Sequence, residues 1–339
     1  MKLDIFNYSL PQTHIAQDPK VKRSDSKLLV IKRDSNELID EKFINIDKYF
    51  SNKDILVIND TKVIPARIFG NRKNTNGKVE LFIERILDEN SFTCQLKSTR
   101  KLYPGDIIIV EKKIELEITE NSNSLCRVYV KDYTVDELIS NYGEIPLPPY
   151  INRKPDEFDE EYYQTIFAKN EGSVAAPTAA LHFDQKIIEK LKEKKINICN
   201  ITLHIGMGTF TTIKENDINN HKMHSEMYSI SKKTIDLIKK CKENNGNVIC
   251  VGTTTARALE SFFTYKHEPD KFYETNIFIK PGYDFKIVDH LITNFHLPQS
   301  SLLIMVAAFY NIKNILKAYN HAIENDYKFF SYGDSTLIL

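Results

Sequence analysis

Two hydrophobic periodicities alternate along the chain. Near the N-terminus, "SKLLVIKRDSNELIDEKF" places two short apolar stretches around a polar turn. "DILVINDTKVIPARIFG" follows, and its segment 55–58 reads as a buried strand ending in Asn59, Asp60 and Thr61. From about Gly70 to Pro146 the texture becomes short alternating runs, "KVELFIERI", "SFTCQLK", "DIIIVE", "KIELEITE" and "LCRVYVK", split by "NTNG", "YPGD" and "NSNS". No helical run interrupts them before "TVDELISNYG", so this stretch predicts a small antiparallel barrel or sandwich. Beyond the stiff "EIPLPPYI", helices and strands alternate. "DQKIIEKLKEKK" and "KKTIDLIKKCKENNG" have helical spacing, "INICNITLHIG" and "NVICVGTTT" read as strands, and "ARALESFF" opens another helix. The pattern predicts an α/β main domain, discontinuous over 1–69 and 147–339, with a small antiparallel β-barrel inserted at 70–146.

Composition adds bounds. A chain of 339 residues, 42% hydrophobic, is long enough for more than one core. Lysine plus arginine and aspartate plus glutamate stand at 46 each, which argues against an all-over basic coat but leaves room for a local basic groove. Five scattered cysteines without a C-x-x-C pair read as reduced, buried thiols. The start "MKLDIFNYSLP" has no apolar signal region, and "SLLIMVAAFY" is about half a membrane span. We expect a soluble cytoplasmic monomer with no membrane partner.

Chemistry gathers at the ends of the strand-like runs. In "LHIGMGTF" a dinucleotide fingerprint fails, because Thr211 stands where a third glycine is needed. Gly206 and Gly208 leave two readings, an ordinary tight turn or close approach of backbone to a ligand. In "HKMHSEMY", His221, His224 and Glu226 match no common metal spacing; the alternatives are solvated surface or proton-transfer groups, and no metal is expected. "VICVGTTTARALES" ends a buried strand at Gly252 and starts a helix, with Thr253, Thr254 and Arg257 placed to favour a phosphate or a carboxylate, or simply to cap the helix. "SVAAPTAALHF" and "ITNFHLPQSSLLIM" add Pro177, Thr178, His182, Asn294 and His296. In open α/β sheets ligands sit beyond the carboxyl ends of strands, where these histidine-bearing loops fall. "QLKSTRKLYPGD" sets Lys97, Arg100 and Lys101 beside Tyr103, a composition suited to RNA or to a solvated hairpin.

Taken together and in order, "NDTKVIPARIFG", "KSTRKLYPGD", "GEIPLPPYI", "YYQTIFA", "SVAAPTAALHF", "TLHIGMGTF", "HKMHSEMY", "GTTTARALES", "PGYDFKIVDHLITNFHLP" and "FFSYGD" resemble the S-adenosylmethionine:tRNA ribosyltransferase-isomerase family of the queuosine pathway. The similarity runs from the first residues to about Asp334. It implies an α/β body with an inserted barrel. It also implies transfer and isomerisation of the ribosyl group of S-adenosylmethionine onto 7-aminomethyl-7-deazaguanine at the tRNA wobble position, with no further cofactor. His182, His204, His224 and Glu226 become the candidate acid–base residues. Candidate contacts to S-adenosylmethionine are Asn59, Asp60 and Arg67 from the first segment, and Pro177, Thr178, Gly206, Gly208 and Thr209 from the middle. Gly252, Thr253, Thr254, Arg257, Asn294 and His296 complete the set. The chain departs from the family pattern at Ala180 (usually glycine), Thr255 (usually serine) and Lys27 (commonly arginine); Ala180 puts a close backbone approach at that point in question.

Overall fold

The computed structural model describes residues 1–122, 125–210 and 213–339; Thr211 lies outside them. A mixed nine-stranded sheet forms the body. Its order across is Phe272–Thr275, Glu226–Ser229, Asn197–Leu203, Ile55–Asn59, Val248–Val251, His290–Asn294, Ser335–Ile338, Lys27–Lys32 and Glu37–Lys42. The four strands from Asn197–Leu203 to His290–Asn294 pair in parallel; antiparallel pairings join both flanks to them, and within one flank Lys27–Lys32 and Ser335–Ile338 pair in parallel. Every residue of Ile55–Asn59 and Val248–Val251 is buried, which explains their unbroken apolar runs: a parallel sheet is covered on both faces.

Alternation along those strands sorts the two covers. Val57, Cys250 and Leu291 face the helices Lys232–Glu243, Thr253–Tyr265, Ser301–Phe309 and Ile312–Glu324. Leu56, Ile249 and Ile292 face the helix Gln185–Glu193 and the 3-10 turns Phe43–Tyr49 and Thr178–His182. Most of these helices start on a side-chain cap, such as Asp184 accepting from the Ile187 amide or Ser231 from that of Thr234. The helix Thr253–Tyr265 differs. It starts from Gly252 at φ +92° with no side-chain cap, a backbone state that glycine alone adopts without strain.

The barrel is a closed antiparallel sheet of Arg67–Arg72, Lys78–Asp88, Ser91–Ser98, Leu125–Val130, Ile114–Ser122 and Ile107–Val110, sealed by pairing of Asn71 with Ile109 and Arg72 with Ile108. Alternate residues such as Val79, Leu81 and Ile83 fill its interior. The helix Val135–Tyr142, opened by a Thr134–Glu137 capping box, packs Val135, Leu138 and Ile139 into the same core. The chain leaves beside its point of entry, Gly143 pairing with Ile68 and Glu144 with Arg67. The first barrel strand thus begins at Arg67, and residues 67–69 run with the barrel.

All five cysteines are buried and unbridged. Among the described residues no single helix is long and apolar enough to cross a membrane; the apolar Ser301–Phe309 helix is packed into the body core. Ala180, fully buried in the turn Thr178–His182, is not among the residues with positive φ, so its methyl group imposes no backbone strain.

The segment joining barrel and body is pinned by Asp159. This fully buried carboxylate accepts from Arg153 Nη2 at 2.8 Å, the Tyr332 hydroxyl at 2.7 Å and the Asp156 amide at 3.0 Å. Removing it leaves the Tyr332 hydroxyl without its partner, while Arg153 keeps Asp18 at 2.8 Å. Asp159→Ala is therefore expected to lower the unfolding free energy by about 1–3 kcal/mol, read from the urea midpoint; an unchanged midpoint would show that the cluster is not a tie.

Candidate functional site

Val248–Val251 and His290–Asn294 lie side by side in parallel and terminate together, at Gly252 and Asn294. Beyond their carboxyl ends lies a chamber of about 310 Å³. Thr253 and Thr254, the first residues of the uncapped helix, form part of its wall. The opening N–H groups of an α-helix have no partner within the helix, and its dipole favours negative charge there. Ser300, which caps the helix Ser301–Phe309, brings a second helix start to the same chamber. Pro177 and Thr178 close another side. Tyr150 and Phe330, also in the lining, stack with ring centroids 4.2 Å apart and an interplanar angle of 27°.

A chain of polar contacts orients the chamber wall. Asn294 Nδ2 donates to the Phe330 carbonyl at 3.1 Å, and a carbonyl only accepts, so the amide's orientation is fixed. The same nitrogen donates to His182 Nε2 at 3.0 Å, which places the imidazole proton on Nδ1. Asn294 Oδ1 then takes the Thr178 hydroxyl proton at 2.9 Å, leaving that hydroxyl's lone pairs as acceptors. Burial pulls the His182 pKa down to about 3, with Lys20 and Arg23 further opposing a charge. His296, whose Nε2 is 2.9 Å from Thr293 Oγ1, is likewise lowered by burial to about 3. Both rings are neutral at physiological pH.

A second space, a cleft of about 440 Å³ between barrel and body, adjoins the chamber, and Ile205 lines both. His204, Gly206 and Glu226 face this cleft. His204 Nδ1 is 2.8 Å from Thr61 Oγ1, and burial lowers its pKa against the pull of Asp60. The ring lies flat on Gly172, at φ +136°, where a Cβ would come within 3.0 Å of Nδ1. Glu226, 4% exposed, accepts from the Gly206 amide and from Thr209 Oγ1, each at 3.3 Å, and pairs with Arg257, 5% exposed. Thr209 lines the chamber, so Glu226 touches the walls of both spaces.

The expected residues thus fall into groups. Pro177, Thr178, Thr209, Gly252, Thr253, Thr254, Asn294 and His296 line the chamber. His204, Gly206 and Glu226 line the cleft. His182 and Arg257 are buried behind these walls, the first beneath Asn294 and the second beneath Glu226. Asn59 and Asp60 are buried braces: Asn59 exchanges hydrogen bonds with the Leu203 backbone, and Asp60 accepts from Thr202 Oγ1 and Asn170 Nδ2. Arg67 belongs to neither space; it sits on the barrel, paired with Glu80. His224 is exposed and packs against Gly208. His221 pairs with Glu215 at 3.2 Å, so His221, His224 and Glu226 of "HKMHSEMY" have separate partners. Sequence reasoning passed over Tyr150, Phe330 and Ser331, although "GEIPLPPYI" and "FFSYGD" carry them.

The comparisons with known proteins agree with this architecture. The family model described as "Queuosine biosynthesis protein" matches residues 3–338. The S-adenosylmethionine:tRNA ribosyltransferase-isomerase of Sulfurihydrogenibium sp. (strain YO3AOP1) is 45% identical over 341 residues, covering 100% of both chains. That of Vesicomyosocius okutanii subsp. Calyptogena okutanii (strain HA) is 47% identical over 338 residues, covering 100% of this chain and 98% of the relative. A crystal structure of S-adenosylmethionine tRNA ribosyltransferase from Thermotoga maritima, 29% identical, superposes with a TM-score of 0.56 over 99% of this chain and 100% of the other. With a full-length family match, relatives near half identity and a shared barrel-and-body fold, the chain belongs to the queuosine biosynthesis protein family.

Proposed function

We propose that this enzyme transfers and isomerises the ribosyl group of S-adenosylmethionine onto 7-aminomethyl-7-deazaguanine at the wobble position of tRNA. The products are epoxyqueuosine-tRNA, adenine and methionine. In this reading it works in the cytoplasm as a monomer, without a metal or further cofactor. One observation carries the reading: a chamber with helix starts and a stacked aromatic pair opens beside a cleft holding His204 and Glu226, with Ile205 common to both. A donor and an acceptor that react with each other need adjoining spaces of this kind.

In the proposed arrangement S-adenosylmethionine occupies the chamber, its carboxylate toward the Thr253–Thr254 helix start and its adenine toward Tyr150 and Phe330. The sulfonium acidifies the adjacent 5′ carbon. A neutral imidazole, which we assign to His204, removes a proton there. Adenine leaves C1′ after taking up a proton, and the aminomethyl nitrogen bonds there. The C1′–O4′ bond then opens, the electron pair at C5′ forms the C1′–C5′ bond, and the freed O4′ displaces methionine from C5′ to close the epoxide. Glu226 stands between the spaces as a carboxylate acceptor for the cationic amine. His182 acts through Asn294, holding the amide and the Thr178 hydroxyl in one orientation.

The decisive assay incubates the enzyme with S-adenosylmethionine and a substrate tRNA and follows free adenine. S-adenosylhomocysteine in its place would mark a methyltransferase, and neither product would mark an RNA-binding module. His204→Ala and Glu226→Gln are expected to slow adenine release by about 100-fold or more. Exposed His224→Ala should cost less than tenfold. His182→Gln should raise the KM for S-adenosylmethionine more than it lowers kcat. Wild-type turnover in both His204→Ala and Glu226→Gln would end the assignment.

The buried neutral histidines also set a pH dependence of stability. Their folded pKa values, about 3, lie below the ordinary 6.5, so the unfolded chain takes up protons first as pH falls. Their contribution is complete above pH 6.5 and is lost as pH drops from 6.5 toward 3. Each group removes about 1.4 kcal/mol per pH unit in that window. Urea midpoints between pH 7 and 5 should therefore fall steeply, and His182→Gln should lessen the loss of stability by about 1.4 kcal/mol per pH unit; equal slopes would contradict it.

A further inference from the structure

We propose that the outer face of the barrel is the surface along which the RNA strand runs to the cleft; this rests on the function proposed above. The first support is the distribution of charge. The chain as a whole is balanced, 46 cations to 46 anions. Yet a groove of about 1090 Å³ on the barrel is lined by Arg72, Lys73, Lys78, Lys97 and Lys112 against two carboxylates, Glu80 and Glu111. Lys97 is 85% exposed and 3.9 Å from Glu80, and Arg72 and Lys73 pair with Asp106 and Glu115, while Lys78 and Lys112 have no ion-pair partner among the described residues. A neutral protein that collects exposed cations in one groove presents a site for a polyanion.

The strand register joins this groove to the cleft. Along Lys78–Asp88, Val79, Leu81 and Ile83 point into the barrel, so Lys78, Glu80 and Phe82 point outward in line, and Glu84 follows at a register shift between Ile83 and Arg85. Lys78 and Glu80 line the groove; Glu84 lines the cleft. The distance from Lys78 to Glu84 along the strand is about 20 Å, room for several nucleotides. Beside this row, Phe69 pairs across from Glu80 and is 45% exposed, with the Arg67 guanidinium 5.3 Å from its ring centre. An exposed aromatic among cations is the composition that stacks bases while holding phosphates. The Arg100–Tyr103 segment flanks the groove, since Arg72 Nη2 donates to the Lys101 carbonyl at 2.8 Å and Tyr103 is exposed.

The test uses the full chain and an anticodon stem–loop RNA carrying 7-aminomethyl-7-deazaguanine. The triple variant Lys78→Glu, Lys97→Glu, Lys112→Glu should weaken RNA binding at least 100-fold. It should also flatten the dependence of log affinity on log salt by about 2, at roughly 0.7 for each phosphate that no lysine neutralises any longer. Phe69→Ala should weaken binding about tenfold at unchanged salt slope. The thermal midpoint and the affinity for S-adenosylmethionine should match wild type in both, and Lys192→Glu, on an exposed body helix, should behave as wild type. Unchanged RNA affinity and slope in the triple variant, with wild-type adenine release intact, overturns the proposal. Equal loss of polyglutamate binding would make the face a general anion surface and overturn it too. A wild-type enzyme that releases no adenine refutes the function reading instead.

Discussion

The buried ion pair between Glu226 and Arg257 is the constraint on which the site depends. Neither charge has enough water around it to stand alone, and leaving one unpaired costs about 3–5 kcal/mol. The arginine projects from the second turn of the Thr253–Tyr265 helix, while the glutamate opens an antiparallel strand near the edge of the sheet. Their pairing sets how far the helix start stands from that strand. Glu226 then takes the Gly206 amide and the Thr209 hydroxyl, so the loop after the Asn197–Leu203 strand is held by the same carboxylate. Arg257 Nε and Nη2 are buried with no partner among the described residues, an energetic cost the fold carries beside the pair itself.

The architecture was legible because its two parts obey different periods. Strands buried on both faces, such as Val248–Val251, read as unbroken apolar runs, whereas barrel strands such as Lys78–Asp88 alternate. The edge of the barrel was less legible. Arg67 follows Ile64, Pro65 and Ala66 with only a proline to mark the step from body to barrel, and only the pairing of Asn71 with Ile109 and Arg72 with Ile108 shows where the barrel closes on itself.

The site was readable where its chemistry lies in a local motif and obscure where it depends on distant pairing. "GTTTAR" names the uncapped helix start in a single stretch, because an abrupt glycine and a run of threonines are visible without the fold. The aromatic wall is not visible in this way: Tyr150 and Phe330 come from segments far apart in the chain, and each alone looks like core. Residue type also hides rank. By chemistry alone His182, Asn59 and Asp60 look like groups that meet a ligand, but a histidine under an asparagine and an aspartate satisfied by Thr202 and Asn170 shape a wall from behind it. Burial and partner, which only the fold supplies, separate a group that meets solvent from one that orients its neighbour.

Charge, too, depends on placement. A balanced total restricts the average surface potential and says nothing about how the charges are dealt among faces. Here the barrel is the element that can sort them, because every second residue of each strand points outward and neighbouring strands align those residues in rows. A row that starts with Lys78 in the groove and ends with Glu84 in the cleft changes sign along about 20 Å. Cations at the outer end attract a phosphate chain, and carboxylates at the inner end suit the protonated amine of the proposed acceptor base. A single strand running that way carries its negative backbone over the lysines and delivers a positively charged group beside Glu226 and His204, so the barrel's polarity and the chemistry proposed for the cleft are two ends of one electrostatic gradient.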